Sequence, residues 1–146
     1  MTMILAAIAA LAMQGQGRTT SPAAWTWALY EGGTVTLANE VPDTARLRTT
    51  FECEPGSSVA RVTLYGGAPS ANGFAQVNAG QSSATVAVSN GARGAGVLAV
   101  RTDHPVFAAF TGSGQMTVRT SDASVTVVVE PDHLAKLRRF AELCAG

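Results

Sequence analysis

Between Leu47 and Cys53 the chain alternates strictly. Leu47, Thr49, Phe51 and Cys53 fall on one side, and Arg48, Thr50 and Glu52 on the other. A period of two marks a strand with one buried face. Similar runs predict strands over residues 25–30, 34–38 and 59–65. Glu31-Gly32-Gly33 forms the hairpin turn between the first two, and Pro55-Gly56-Ser57-Ser58 folds 47–53 back onto 59–65 as an antiparallel pair. Weaker runs place strands at 74–78, 84–88 and 97–101. A last hairpin joins 116–119 to 125–129 through Ser121-Asp122-Ala123.

In two places the apolar spacing lengthens to that of a helix. Residues 103–110 form a short one, with Asp103 as its cap, Pro105 in its first turn, and Phe107 and Phe110 on one side. Gly112-Ser113-Gly114 ends it. The second helix, 131–144, carries Leu134, Leu137, Ala141 and Cys144 as one apolar stripe with Phe140 on its flank. On that reading Lys136, Arg139 and Glu142 face outward, and His133 is solvated in the first turn. The stretches 66–73 and 91–96, rich in Gly and small polar residues, read as loops. The expected fold is mainly β: an antiparallel sandwich or partly open barrel with a short helix and one C-terminal helix packed on the sheet.

Ahead of the first strand, Ile4 to Met13 is an unbroken apolar run the length of a signal-peptide core. A membrane-spanning helix needs roughly 20 apolar residues, and Gln14-Gly15-Gln16 ends this run well short. Ala10-Leu11-Ala12 supplies the small-x-small pattern of a cleavage site. The expected organisation is a signal peptide at 1–12, a flexible connector at 13–23 and a single β-rich domain at 24–146, with no transmembrane span once the leader is removed. Export to the periplasm or beyond implies an oxidising compartment. The only two cysteines, Cys53 and Cys144, are then expected to pair, tying the last helix to the sheet.

Charge narrows the partners. Ten basic and ten acidic residues balance, and neither sign forms a block. Nucleic acid and anionic membrane surfaces both reward a basic run, so neither is the expected main partner. Candidate chemistry is sparse. Asp103-His104 is half of a nucleophilic triad, but adjacent residues seldom face each other, and Asp103 is better used as a helix cap. Glu52 and Glu54 flank Cys53 on one strand face and read as a charged outer surface. His104, His133 and two mutually occupied cysteines are too few for a closed zinc site. The 91–96 loop is not G-x-G-x-x-G and opens no helix. No catalytic residue, metal or cofactor is assigned. Trp25, Trp27 and Tyr30 serve either as the lid of a core or as an aromatic binding face; with Arg93 in the 91–96 loop and His104 they complete the candidate binding residues.

A leader, a Trp-bearing first strand, the strand Phe51-Glu52-Cys53 and a terminal Leu-x-x-Phe-x-x-x-Cys (Leu137 to Cys144) together resemble small exported β-sandwich proteins of Gram-negative bacteria, invasion-associated locus B-type periplasmic proteins among them. The stretches Leu37-Ala38-Asn39-Glu40-Val41-Pro42-Asp43-Thr44 and Arg101-Thr102-Asp103-His104-Pro105 look like those of alphaproteobacterial proteins. The resemblance implies a strand cysteine bridged to a C-terminal helix and transfers no catalytic residue. The expected function is a non-enzymatic envelope protein that binds another protein or a cell-surface component through the loops 66–73 and 91–96. The alternatives are a structural subunit self-associating through the nearly charge-free strand 125–129, and, less favoured, a hydrolase using Asp103-His104.

Overall fold

The alternation at Leu47–Cys53 becomes the third of nine antiparallel strands in the computed structural model, which describes residues 24–66 and 73–146. The expected signal peptide 1–12, the connector 13–23 and residues 67–72 of the Gly-rich loop lie outside the described residues. In chain order the strands are β1 (Thr26–Tyr30), β2 (Val35–Glu40), β3 (Leu47–Cys53), β4 (Val59–Leu64), β5 (Gly73–Ala79), β6 (Ser82–Asn90), β7 (Gly96–Arg101), β8 (Gln115–Arg119) and β9 (Ser124–Val128). Helix α1 (Pro105–Ser113) joins β7 to β8; a 3-10 turn, Pro131–His133, leads into α2 (Leu134–Cys144).

The strands form one sheet in the order β1-β2-β3-β4-β7-β6-β5-β8-β9, curled into a half-barrel. Of the two expected architectures, this is the partly open barrel. Leu37, Phe51, Val62 and Leu98 pair in a row across β2, β3, β4 and β7, all buried on the concave side. The helices lie against that side, α1 on β5, β6 and β8, and α2 on β1 and β2. Phe51 is the hub, with ring centroids 6.1 Å from Trp27, 5.4 Å from Phe110 and 6.1 Å from Phe140. One side chain of β3 thus ties the first strand to both helices. Phe140, expected on a flank, is fully buried. Thr50 does sit on the outer face, but between the small neighbours Ala38 and Thr63 it is buried, and its Oγ1 has no partner.

Three local expectations are corrected. The cap of α1 is His104, whose Nδ1 accepts from the Val106 N–H at 3.1 Å; Asp103 instead takes a bidentate contact from Arg101, 2.8 and 2.7 Å. An imidazole nitrogen one residue before a Pro at the first helical position is well placed for the orphan N–H groups. Lys136 turns toward the sheet rather than outward, donating its Nζ to the Trp27 carbonyl at 2.7 Å. His133 is half-buried, and its Nδ1 is enclosed without a partner.

Gly114 ends α1 in the left-handed region, φ 76°, donating its N–H to the Phe110 carbonyl at 2.7 Å while its own carbonyl accepts from Val129. The pairing of Cys53 with Cys144 is present, with Cα atoms 5.9 Å apart across 91 residues of sequence. The β3–β4 turn clasps the same helix end: Gly56 and Ser58 donate their N–H groups to the carbonyls of Leu143 and Cys144 at 3.1 and 2.7 Å.

Candidate functional site

The two edges of the half-barrel, β1 and β9, approach each other without pairing. The Trp27 indole spans the gap, its Nε1 donating to the Val128 carbonyl at 3.0 Å. Beside this closure the barrel mouth opens into a groove of about 350 Å³, floored by Asn39 and Thr49 and walled by residues 125–128 of β9. Arg48, Tyr65 and Gly66 are shared with an adjoining cleft of about 500 Å³ that also holds Trp25, Arg46 and Arg93. Sites in barrel mouths are commonly of this size.

Local structure aims each of these side chains. Asn39 pairs with Thr49 while Glu40 pairs with Leu47, so Arg48 is the extra residue of a β-bulge. A bulge re-aims the side chain it carries. Arg48, which strict alternation puts on the outer face, swings onto the Trp25 ring, its guanidinium carbon 3.9 Å from the ring centre. The Arg46 guanidinium lies over the same ring at 5.3 Å. The turn holding Arg46 is closed by Val41 N–H to the Arg46 carbonyl at 3.2 Å and by the Thr44 hydroxyl, which donates to the Val41 carbonyl at 2.7 Å. Arg93 occupies the left-handed region, φ 58°, in a turn closed by Gly91 N–H to the Ala95 carbonyl at 2.7 Å.

The electrostatics of the cleft are one-sided. Among the described residues the ion pairs are Arg101–Asp103, Arg139–Glu31 and Arg139–Glu142, so Arg46, Arg48 and Arg93 have no carboxylate partner. Glu130 lines the groove but not the cleft. A guanidinium stacked on an indole keeps its N–H edge free and oriented. Such edges bind carboxylate or phosphate in a bidentate manner. The cleft thus gathers three guanidinium groups, two of them stacked on Trp25.

The sequence candidates separate accordingly. Trp25 and Arg93 line the cleft; Trp27 is buried in the core and closes the groove. Tyr30 lies on the opposite face, where its hydroxyl donates to Glu40 Oε1, and that hydrogen bond raises the phenol above its ordinary value. Trp25, Trp27 and Tyr30 therefore form no common platform. His104 is spent capping α1. Asp103 is held below the usual carboxylate range by the Arg101 guanidinium, and the Asp103-His104 dyad is not formed. Glu54 accepts from the Thr34 hydroxyl at 2.9 Å, and Glu52 pairs across the ladder with Arg61. Arg46, Arg48 and Tyr65 were not among the candidates; the only signal for them in the sequence was basic and aromatic residues near predicted strand ends.

No group of three or more His, Cys, Asp or Glu side chains among the described residues could hold a metal ion, and no described helix is long and apolar enough to cross a membrane. No protein-family model, curated protein or solved structure matches the chain.

Proposed function

We propose that this protein is an exported, non-enzymatic binding module of the bacterial envelope, periplasmic or secreted, whose basic cleft holds an anionic group of an envelope protein or cell-surface component. The observation that carries this reading is the stacking of Arg46 and Arg48 on Trp25, in a cleft shared with Arg93, with none of the three in an ion pair among the described residues. The indole pre-orders two of the three guanidinium groups, so an anion that binds them has less side-chain freedom to remove. The leader-like run at 4–13 and the buried disulfide support the exported setting.

The test is an amide-resolved NMR titration with anions of stated composition: inorganic phosphate, oligoglutamate and phosphatidylglycerol vesicles. Shifts centred on Trp25, Arg46, Arg48 and Arg93 that vanish in the Arg46→Gln/Arg48→Gln variant support the reading. Binding that ignores those substitutions contradicts it.

Self-association through β9 is the second reading. The strand is an edge and Val128 is 41% exposed, which favours it; the Trp27 indole already occupies the Val128 carbonyl, which opposes it. Sedimentation at high concentration separates the two.

A further inference from the structure

From the groove that continues out of the basic cleft, we infer that the partner is an extended, acidic peptide segment that adds to the outer edge of β9 and places a carboxylate among the arginines. This rests on the anion-binding reading of the cleft and adds the nature of the chain that carries the anion.

Two neighbouring demands define the partner. The first is charge, set by Arg46, Arg48 and Arg93. The second is backbone pairing. In an antiparallel ladder the N–H and C=O of successive residues point alternately to the two sides. The Val128 carbonyl points away from β8, since Trp27 reaches it from outside the sheet. By the same alternation the backbone groups of Thr126, two residues earlier, also face outward. They open into the groove, whose wall includes Val125, Thr126 and Val127, and β1 does not pair with them.

A strand running along β9 satisfies Thr126 with its own N–H and C=O groups, and its alternate side chains, about 7 Å apart, step along the groove toward Arg48. A helix, about 10–12 Å across with its backbone groups already bonded, has nothing to offer Thr126. An isolated phosphate or lipid headgroup answers the arginines and leaves the β9 wall empty. The acidic strand alone meets both.

The test uses the full chain with its disulfide intact and follows tryptophan fluorescence and calorimetry. The probe is a blocked hexapeptide alternating glutamate with threonine. Its controls are the glutamine-for-glutamate peptide, a version N-methylated at alternate amides, inorganic phosphate, and phosphatidylglycerol vesicles. The inference expects the parent peptide to bind, and both the glutamine and the N-methylated versions to bind about tenfold or more weakly, the scale of one lost charge-assisted or backbone hydrogen bond in a site of this kind. Thr126→Pro, which removes an outward N–H and keeps the backbone ladder to β8, lowers peptide affinity by a similar factor and leaves the phosphate response unchanged, whereas Thr126→Val, which loses only the hydroxyl contact to Thr117, leaves both unchanged. No binding of the parent peptide, equal binding of the N-methylated peptide, or tighter binding of the vesicles with no effect of Thr126→Pro overturns the strand inference. The cleft itself then still stands if Arg46→Gln/Arg48→Gln abolishes the phosphate or vesicle response. If that variant changes none of the responses, the cleft reading fails as well.

Discussion

The Trp27 indole donates to the Val128 carbonyl at 3.0 Å, joining the first strand to the last across 101 residues of sequence. The Trp27 backbone carbonyl in turn accepts the Lys136 ammonium at 2.7 Å, so α2 is fixed to the same edge. The sheet is closed at this point by one side chain rather than by a ladder. The opening left beside it is the groove, and the fold and the candidate site therefore share a residue.

Removing that closure should loosen both. Trp27→Phe keeps an aromatic ring near Phe51 while deleting the Nε1 donor, and we expect a loss of about 1–3 kcal/mol from the hydrogen bond and the vacated volume together. Urea unfolding should show a lower midpoint with an unchanged slope, and amide exchange should quicken at β9 and at the start of α2. An unaltered midpoint would show that packing alone holds the edges.

The disulfide encloses 91 residues of sequence separation, and chain-entropy estimates put its contribution at about 4–5 kcal/mol as an upper figure. The Cys53→Ala/Cys144→Ala variant should lose much of that in denaturant titrations. Because Gly56 and Ser58 bond to the carbonyls of Leu143 and Cys144, amide exchange should rise first in the last turn of α2 and in the β3–β4 turn. Loss of protection beginning in β5 and β6 would point to a different weak region.

Gly114 has a requirement that Gly33 lacks. Both have positive φ, 76° and 72°, but a Cβ on Gly114 would sit 2.3 Å from the Val129 carbonyl oxygen, whereas one on Gly33 meets nothing within 4 Å. Gly33→Ala should cost about 1–2 kcal/mol from backbone strain alone. Gly114→Ala should cost more, since the end of α1 must shift away from the Val129 backbone and Leu134, and thermal melts of the two variants give the comparison.

Two titrations carry a sign. The Asp103 carboxyl is lowered, chiefly by the hydrogen bond from Arg101, so the pair's stabilisation is complete above the ordinary carboxylate value and disappears as pH falls through the lowered one. The Tyr30 phenol is raised, chiefly by its hydrogen bond to Glu40; its stabilisation is complete below the ordinary phenol value and disappears as pH rises through the raised one. Both pairs are exposed, so the effect on stability is small and the readout is the midpoint itself. NMR should find Asp103 titrating below other aspartates, and Glu40→Gln should return Tyr30 toward the ordinary phenol midpoint in ultraviolet difference spectra.

Most strands were legible because their large apolar side chains are one-sided: Leu37, Phe51 and Val62 face the core, while their buried neighbours Ala38, Thr50 and Thr63 are small or polar. The disulfide was legible from compartment logic and from the stripe that ends at Cys144. Closure was not, since periodicity does not report whether two edges of one sheet meet. The site was half legible. Trp25 and Arg93 were candidates, but Arg48 was assigned to the outer face, because the spacing of apolar residues does not mark the bulge that inserts it and shifts Leu47 out of step with Thr49. Tyr30 was separable from the tryptophans all along, since it has the opposite parity within the strand. The helix cap fell to His104 rather than Asp103 because Arg101, two residues earlier on β7, competes for the carboxylate.

The most direct test of the anion-binding cleft is the NMR titration of the full chain with oligoglutamate, compared between the wild-type protein and Arg46→Gln/Arg48→Gln. The wild type should show saturable shifts at Trp25, Arg46, Arg48 and Arg93 that weaken with added salt, and the variant should show an affinity about tenfold or more lower with its fold intact. Saturable shifts at another surface, or the same affinity in both proteins, would contradict the assignment.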